Sequence, residues 1–228
     1  MIADNLLKIE QEMQDSCALV HRDPKEVTLV VVTKSVDSVT AEKLIEQGVK
    51  NCAENRVDKL LQKKQDLVNY PDVKWHLIGN LQRRKVKLII NEIDCFHALD
   101  SLKLAEEIQK RATKPLDCFV EVNVSGEASK HGFSPEELVP FIESLVALSK
   151  IKVVGLMTMA PKEASAKQIR KVFGTLKELR DLVHSKGFSH APCTELSMGM
   201  SQDFQLAIEE GATFIRVGTA LFKDEEEQ

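Results

Sequence analysis

Apolar positions along this chain follow two alternating rhythms. Ile2, Leu6, Ile9, Met13, Cys17 and Val20 recur at three- and four-residue steps, which predicts a helix with one apolar face over residues 1–21. His21-Arg22-Asp23-Pro24 ends it, since proline disfavours helix at the residue before it. Residues 27–32 then form a dense, largely β-branched run, as expected of a strand buried on both faces. Beyond it, further strands are predicted over 49–53, 75–78, 95–99, 116–124, 151–157, 194–197 and 213–217, with 116–124 the longest and 194–197 the weakest. Helical segments fall between them, over 39–47, 57–68, 83–90, 102–112, from Ser134 onward, around the stripe Ile169, Val172, Phe173, Leu176, Leu179 and Leu182, and over 204–210. Ser134-Pro135-Glu136-Glu137 reads as a helix start, with serine as cap, proline in first place and acids in the first turn. Leu221-Phe222 and a solvated acidic tail over 223–228 close the chain.

Eight β runs separated by helical segments imply parallel strands joined by crossover helices. In this length the pattern predicts an α/β fold: a (β/α)₈ TIM barrel with an extra N-terminal helix, as a single domain over 1–228. An open doubly wound sheet is the alternative if the second or seventh strand fails to form.

Composition narrows the function. The 228 residues are 43% hydrophobic and 29% charged, ordinary for a soluble domain. A net charge of −4 and a pI near 5.9 argue against a nucleic-acid binder, and Arg83-Arg84-Lys85 with Lys87 reads as one solvated helix face. No stretch has the length of a membrane span. Asp4, Glu10, Glu12 and Asp15 are incompatible with a signal peptide, and the expected location is the cytoplasm. Cys17, Cys52, Cys95, Cys118 and Cys193 lack metal-ligand spacing and read as reduced, buried thiols; no metal site is expected.

Candidate chemistry lies at the strand ends, where barrels carry their ligand sites. The first strand ends on Lys34, whose desolvation would favour a neutral, nucleophilic amine able to form a Schiff base. A lysine closing a strand ordinarily snorkels to water, so this stretch alone leaves both readings open. The other ends supply Glu54-Asn55-Arg56, His76 with Ile78-Gly79-Asn80, Asn123 and Ser125, Met157-Thr158-Met159, Ser197-Met198-Gly199-Met200-Ser201 and Arg216-Val217-Gly218-Thr219. The opposite ends read as bland. The loops after the seventh and eighth strands, with hydroxyls, glycines and a helix start, suit a phosphorylated ligand.

Val32-Thr33-Lys34, Ala53-Glu54-Asn55, Trp75-His76-Leu77-Ile78-Gly79-Asn80-Leu81-Gln82, Gly155-Leu156-Met157-Thr158, Leu196-Ser197-Met198-Gly199-Met200-Ser201-Gln202-Asp203 and Arg216-Val217-Gly218-Thr219 together resemble the YggS/PROSC (YlmE-like) family. These are pyridoxal-phosphate-binding proteins similar to the barrel domain of alanine racemase. The resemblance implies that Lys34 carries pyridoxal 5′-phosphate as a Schiff base. It also implies that Ser197, Gly218 and Thr219 hold the phosphate, with Gly199, Met200 and Ser201 in the same loop. Arg216 would stand beside the pyridine nitrogen, and Asn55, His76, Gly79 and Met157 would line the pocket. Ala53, where the family usually has glycine, and Ser35 depart from its pattern.

An arginine at the ring nitrogen can only donate, which restrains the electron sink that carbanion chemistry exploits. The second base usual in alanine racemases is a tyrosine from a further domain, and the single tyrosine here is Tyr70 in the turn Asn69-Tyr70-Pro71. The expectation is therefore a non-catalytic protein of vitamin B6 homeostasis, monomeric, with pyridoxal phosphate and apo-enzyme recipients as its partners and neither nucleic acid nor membrane among them. The alternatives are a pyridoxal-phosphate-dependent racemase or lyase, and a Schiff-base aldolase-type barrel without cofactor.

Overall fold

The computed structural model describes residues 1–223, and the expected alternation is present throughout them. α1 (Ile2–Leu19) and a short 3₁₀ turn (Pro24–Glu26) precede β1 (Thr28–Val32). There follow α2 (Ser38–Glu46), β2 (Asn51–Glu54), α3 (Val57–Asp66), β3 (Lys74–Leu77), α4 (Arg83–Ile89), β4 (Cys95–Leu99) and α5 (Leu102–Arg111). The second half comprises β5 (Leu116–Glu121), α6 (Pro135–Ser144), β6 (Ile151–Met157), α7 (Ala166–Ser185), β7 (Glu195–Ser197), α8 (Phe204–Glu209), β8 (Phe214–Val217) and α9 (Thr219–Phe222). Of the acidic tail expected over 223–228, all but Lys223 lies outside the described residues.

The strands are parallel, pair in sequence order, and β8 returns to β1, so the sheet is a closed barrel and not an open one. Closure sets Val30 opposite Arg216 and Val31 opposite Val217. β7 is only three residues long but pairs with both neighbours, although its seam with β8 has a single register pair, Ser197 with Phe214. Irregular bonds reinforce that seam: the Met198 amide donates to Phe214 O at 3.1 Å and the Arg216 amide to Gly199 O at 2.9 Å.

Two predicted details are corrected. β5 stops at Glu121, and β6, with seven residues, exceeds it in length. Past Glu121 the chain pairs with its own loop: the Asn123 amide donates to Phe133 O at 2.8 Å, and Asn123 Oδ1 accepts from the Gly126 amide at 3.1 Å. This Asx-type turn ends the strand although Val122 and Val124 continue its apolar alternation. Leu221-Phe222, which precede the expected tail, belong to α9.

The apolar face of α1 is buried through Leu6, Ile9, Met13 and Cys17, packed beside α8 and α9. Arg22 follows the helix and donates to Ile208 O at 2.6 Å, a carbonyl at the end of α8, and to Ala212 O at 2.9 Å in the turn beyond it. The barrel interior departs from the aliphatic filling usual in such folds. Val30, Val32 and Ala53 form a small apolar cluster, while His76, His97, Ser197 and Arg216 are buried as well. His97 stacks on Phe119 with ring centroids 4.5 Å apart, and Phe214 meets Phe119 edge-on at 5.2 Å.

Backbone proximity explains one glycine. Gly155 of β6 faces Glu195 of β7, where an added Cβ would lie 2.1 Å from the Glu195 carbonyl oxygen. Gly155→Ala is therefore expected to push β7 outward and cost about 1–3 kcal/mol in urea unfolding. Wild-type stability in that variant would show that the seam has slack.

Candidate functional site

A cavity of about 880 Å³ opens at the C-terminal ends of the strands. It brings together Lys34, Asn55, Met157, Met200, Ser201, Arg216, Gly218 and Thr219, all singled out in the sequence. Val32, Ile78, Met157 and Ala160 give it apolar walls.

Lys34 stands two residues beyond β1, in a turn where the Val36 amide donates to Thr33 O at 3.2 Å. Its side chain is exposed to the cavity, with no hydrogen-bond or ion-pair partner among the described residues. The desolvation expected from the strand is thus not realised: the strand is buried, but the turn carries the lysine out of it. The backbone beneath is held firmly. Thr33 Oγ1 donates to Glu54 Oε1 at 2.7 Å, and Lys63 Nζ donates to Thr33 O at 2.5 Å while pairing with the same carboxylate oxygen. All three residues are buried, and Glu54 Oε2 has no hydrogen-bond partner among the described residues. Sequence reasoning missed this triad, yet its signal was present: Lys63 continues the buried face of Val57 and Leu60 at three-residue steps. Lys63→Met strands the Glu54 carboxylate and is expected to cost about 3–5 kcal/mol. Glu54→Leu combined with it should recover most of that loss in urea unfolding; no recovery would mean the pair is not the cause.

The loops after β7 and β8 meet through Ser201, whose Oγ accepts from the Ala220 amide at 3.2 Å and the Gly218 amide at 3.4 Å. Gly199 turns the first loop at φ +99, and an added Cβ there would meet Ala207 Cβ at 2.6 Å. Asp203, also missed in the sequence, closes the turn by accepting from the Met200 amide at 2.6 Å. Its place directly before α8 is the cue that could have marked it.

Arg216 is buried at the cavity floor and donates to Ser197 Oγ at 2.5 Å and Thr158 O at 3.2 Å. Burial pulls its pKa down to about 10, opposed by the carboxylates of Asp203 and Glu121, so it is cationic at neutral pH.

Four expected pocket residues do not line the cavity. Gly199 shapes its loop from behind. Gly79 lets two loops touch, since an added Cβ would lie 2.1 Å from Asn55 O. Ser197 is fully buried inside the barrel, where its hydroxyl is engaged by His97 and Arg216; Ser201, one turn later, is the serine that lines the cavity. His76 faces the opposite mouth, because its position in β3 lies level with Ala53, below the strand end. That mouth is not bland: a cavity of about 770 Å³ is lined there by Lys50, Asn51, Lys74, His76, Asp94, Asp117, Lys152 and Glu195.

His76 Nδ1 lies 2.8 Å from His97 Nε2, His76 Nε2 2.9 Å from Asn51 Oδ1, and His97 Nδ1 2.8 Å from Ser197 Oγ. Desolvation lowers the His76 pKa to about 4 and holds that of His97 well below the usual imidazole value. In the unfolded chain each imidazole gains a proton as pH falls through about 6.5, whereas in the folded protein both stay neutral. Their contribution to stability is complete above that pH and declines toward pH 4, by roughly 3 kcal/mol for His76. His76→Gln is expected to flatten that decline in urea midpoints taken between pH 7 and 4. An unchanged slope would show that His76 carries charge in the native state.

Residues 5–226 match the family model described as alanine racemase, N-terminal domain. A pyridoxal phosphate homeostasis protein of Aquifex aeolicus is 39% identical over 222 residues, covering 96% of each chain. The structure of PipY of Synechococcus elongatus with pyridoxal phosphate bound superposes with a TM-score of 0.85 at 30% identity, over 98% of this chain and 100% of that one. An alanine racemase of Clostridium difficile shares the fold, with a TM-score of 0.76 at 19% identity, over 98% of this chain and 57% of that one.

Proposed function

This chain belongs to the pyridoxal phosphate homeostasis protein family, and we propose that it holds pyridoxal 5′-phosphate through Lys34 at the C-terminal mouth of its barrel. The carrying observation is the presence, in one cavity, of an exposed primary amine, a hydroxyl-bearing double loop and a buried guanidinium. This donor set fits the cofactor. Lys34 would bind its aldehyde carbon, Ser201, Gly218 and Thr219 its phosphate, and Arg216 its ring nitrogen, between the apolar walls of Val32, Ile78 and Met157. When bound, the cofactor supplies an aldehyde that condenses with amines and a ring that withdraws electrons when protonated.

Arg216 presents N–H groups only, so it cannot supply a ring proton at neutral pH. That property supports a carrier over a catalyst. Racemisation also needs an acid–base group on each face of the reacting carbon, and among the described residues no histidine or tyrosine lines the cavity. Tyr70 lies outside it, donating to Glu42 Oε1 at 2.8 Å. The exposed rim of Lys34, Met159 and Met200 leaves the amine open to solution, which suits an exchangeable cofactor store passing its contents to apo-enzymes.

Protein incubated with pyridoxal phosphate is expected to turn yellow, and borohydride should fix one pyridoxyl group on Lys34, located by peptide mass. Lys34→Ala should lose both signals while keeping its unfolding midpoint. Equal labelling in that variant would overturn the assignment. With single L-amino acids in deuterated water, α-hydrogen exchange should remain at the rate of free cofactor; fast exchange or D-isomer formation would favour the racemase reading.

A further inference from the structure

Five buried or half-buried side chains from five strands form one hydrogen-bonded line through the barrel: Arg216, Ser197, His97, His76 and Asn51. It starts on the floor of the Lys34 cavity and ends at the opposite cavity. Its direction follows from chemistry. A guanidinium has donors and no acceptor, so Arg216 Nη1 must donate to Ser197 Oγ. The serine hydroxyl then donates to His97 Nδ1, His97 Nε2–H to His76 Nδ1, and His76 Nε2–H to Asn51 Oδ1. In the reverse arrangement Ser197 Oγ would accept from both Arg216 and His97, and its own proton would have no acceptor among the described residues. One tautomer of each imidazole therefore satisfies every link.

The molecule offers a competing reading of the same residues. Ligand atoms of His76, Cys95 and His97 come within 4.8 Å of one another, a geometry that suggests a metal. Both nitrogens of each imidazole are already engaged in the line, and a metal on the facing nitrogens would break the His76–His97 bond and turn the Ser197–His97 bond round. The line accounts for more of the geometry.

We propose that His97 and His76 are positioning residues: through Ser197 they hold the Arg216 guanidinium in one orientation, as a fixed donor toward the ring nitrogen of the bound cofactor. This rests on the proposed function, and it gives the interior histidines a task that the cavity lining does not. Without His97, the Ser197 hydroxyl loses its acceptor and competes for other partners, and Nη1 loses its fixed anchor. His97→Gln can keep both links, because its amide offers an acceptor and a donor, whereas His97→Leu keeps neither.

The test has two arms. Long-range ¹H–¹⁵N spectra of the cofactor-free protein should show His76 and His97 as neutral Nε2–H tautomers between pH 5 and 8. A Nδ1–H tautomer at either, or titration of His97 in that range, overturns the line even if no cofactor binds. In the second arm, His97→Leu is expected to bind pyridoxal phosphate about tenfold more weakly. The pH midpoint of its bound-cofactor absorbance should move by about one unit, with His97→Gln close to wild type. His76→Leu, one link further out, serves the same comparison if His97→Leu does not fold. Unchanged affinity and an unchanged midpoint in a folded Leu variant would overturn the positioning role and leave Lys34 binding intact. Failure of the wild type to be fixed at Lys34 would instead remove the functional reading.

Discussion

A permanent cation inside a closed barrel constrains everything around it. Burying a guanidinium is costly unless its donors and charge are met. Here Ser197 and the Thr158 carbonyl each take one N–H, from Nη1 and Nη2, and Asp203 and Glu121 supply the opposing charge. Those partners come from β7, the ends of β5 and β6, and the turn before α8. The position of Arg216 itself is set by β8 pairing with β1. Barrel closure, the loop after β7 and the polar interior are thus aspects of one requirement.

Against that fixed floor, the amine at the rim is held differently. Thr33 is tied by the Lys63–Glu54 pair, so the lysine backbone is anchored while its side chain remains exposed. The fold places the amine without constraining its solvation. This combination suits a group that must meet an aldehyde arriving from solution.

Much of this was legible in the sequence, for identifiable reasons. Strict alternation makes the strands parallel, and parallel strands put all their C-terminal ends on one face, so Lys34, Asn55, Arg216 and Gly218-Thr219 had to converge. Facts set by register and packing were less accessible. His97 sits within Cys95–Leu99, a strand whose apolar pattern does not mark which residues face inward. Ser197 ends β7 and Ser201 lies in the loop that follows, and only the turn at Gly199 decides which serine reaches the cavity. Lys63 was hidden because a lysine on a helix ordinarily faces water. The end of β5 was misjudged because the side-chain bonds of Asn123 overrule an apolar alternation.

The narrow seam between β7 and β8 gives the cradle a mechanical aspect. A single register pair joins the two strands, and Ser201 bridges the loops that leave them. An anion held jointly by Ser201 and Gly218, as proposed, would span that seam as a staple, and by mass action its binding energy would oppose separation of the two edges. Retention of such an occupant and breathing of the barrel wall are then one equilibrium: release would be gated by the part of the cylinder with the fewest ladder bonds.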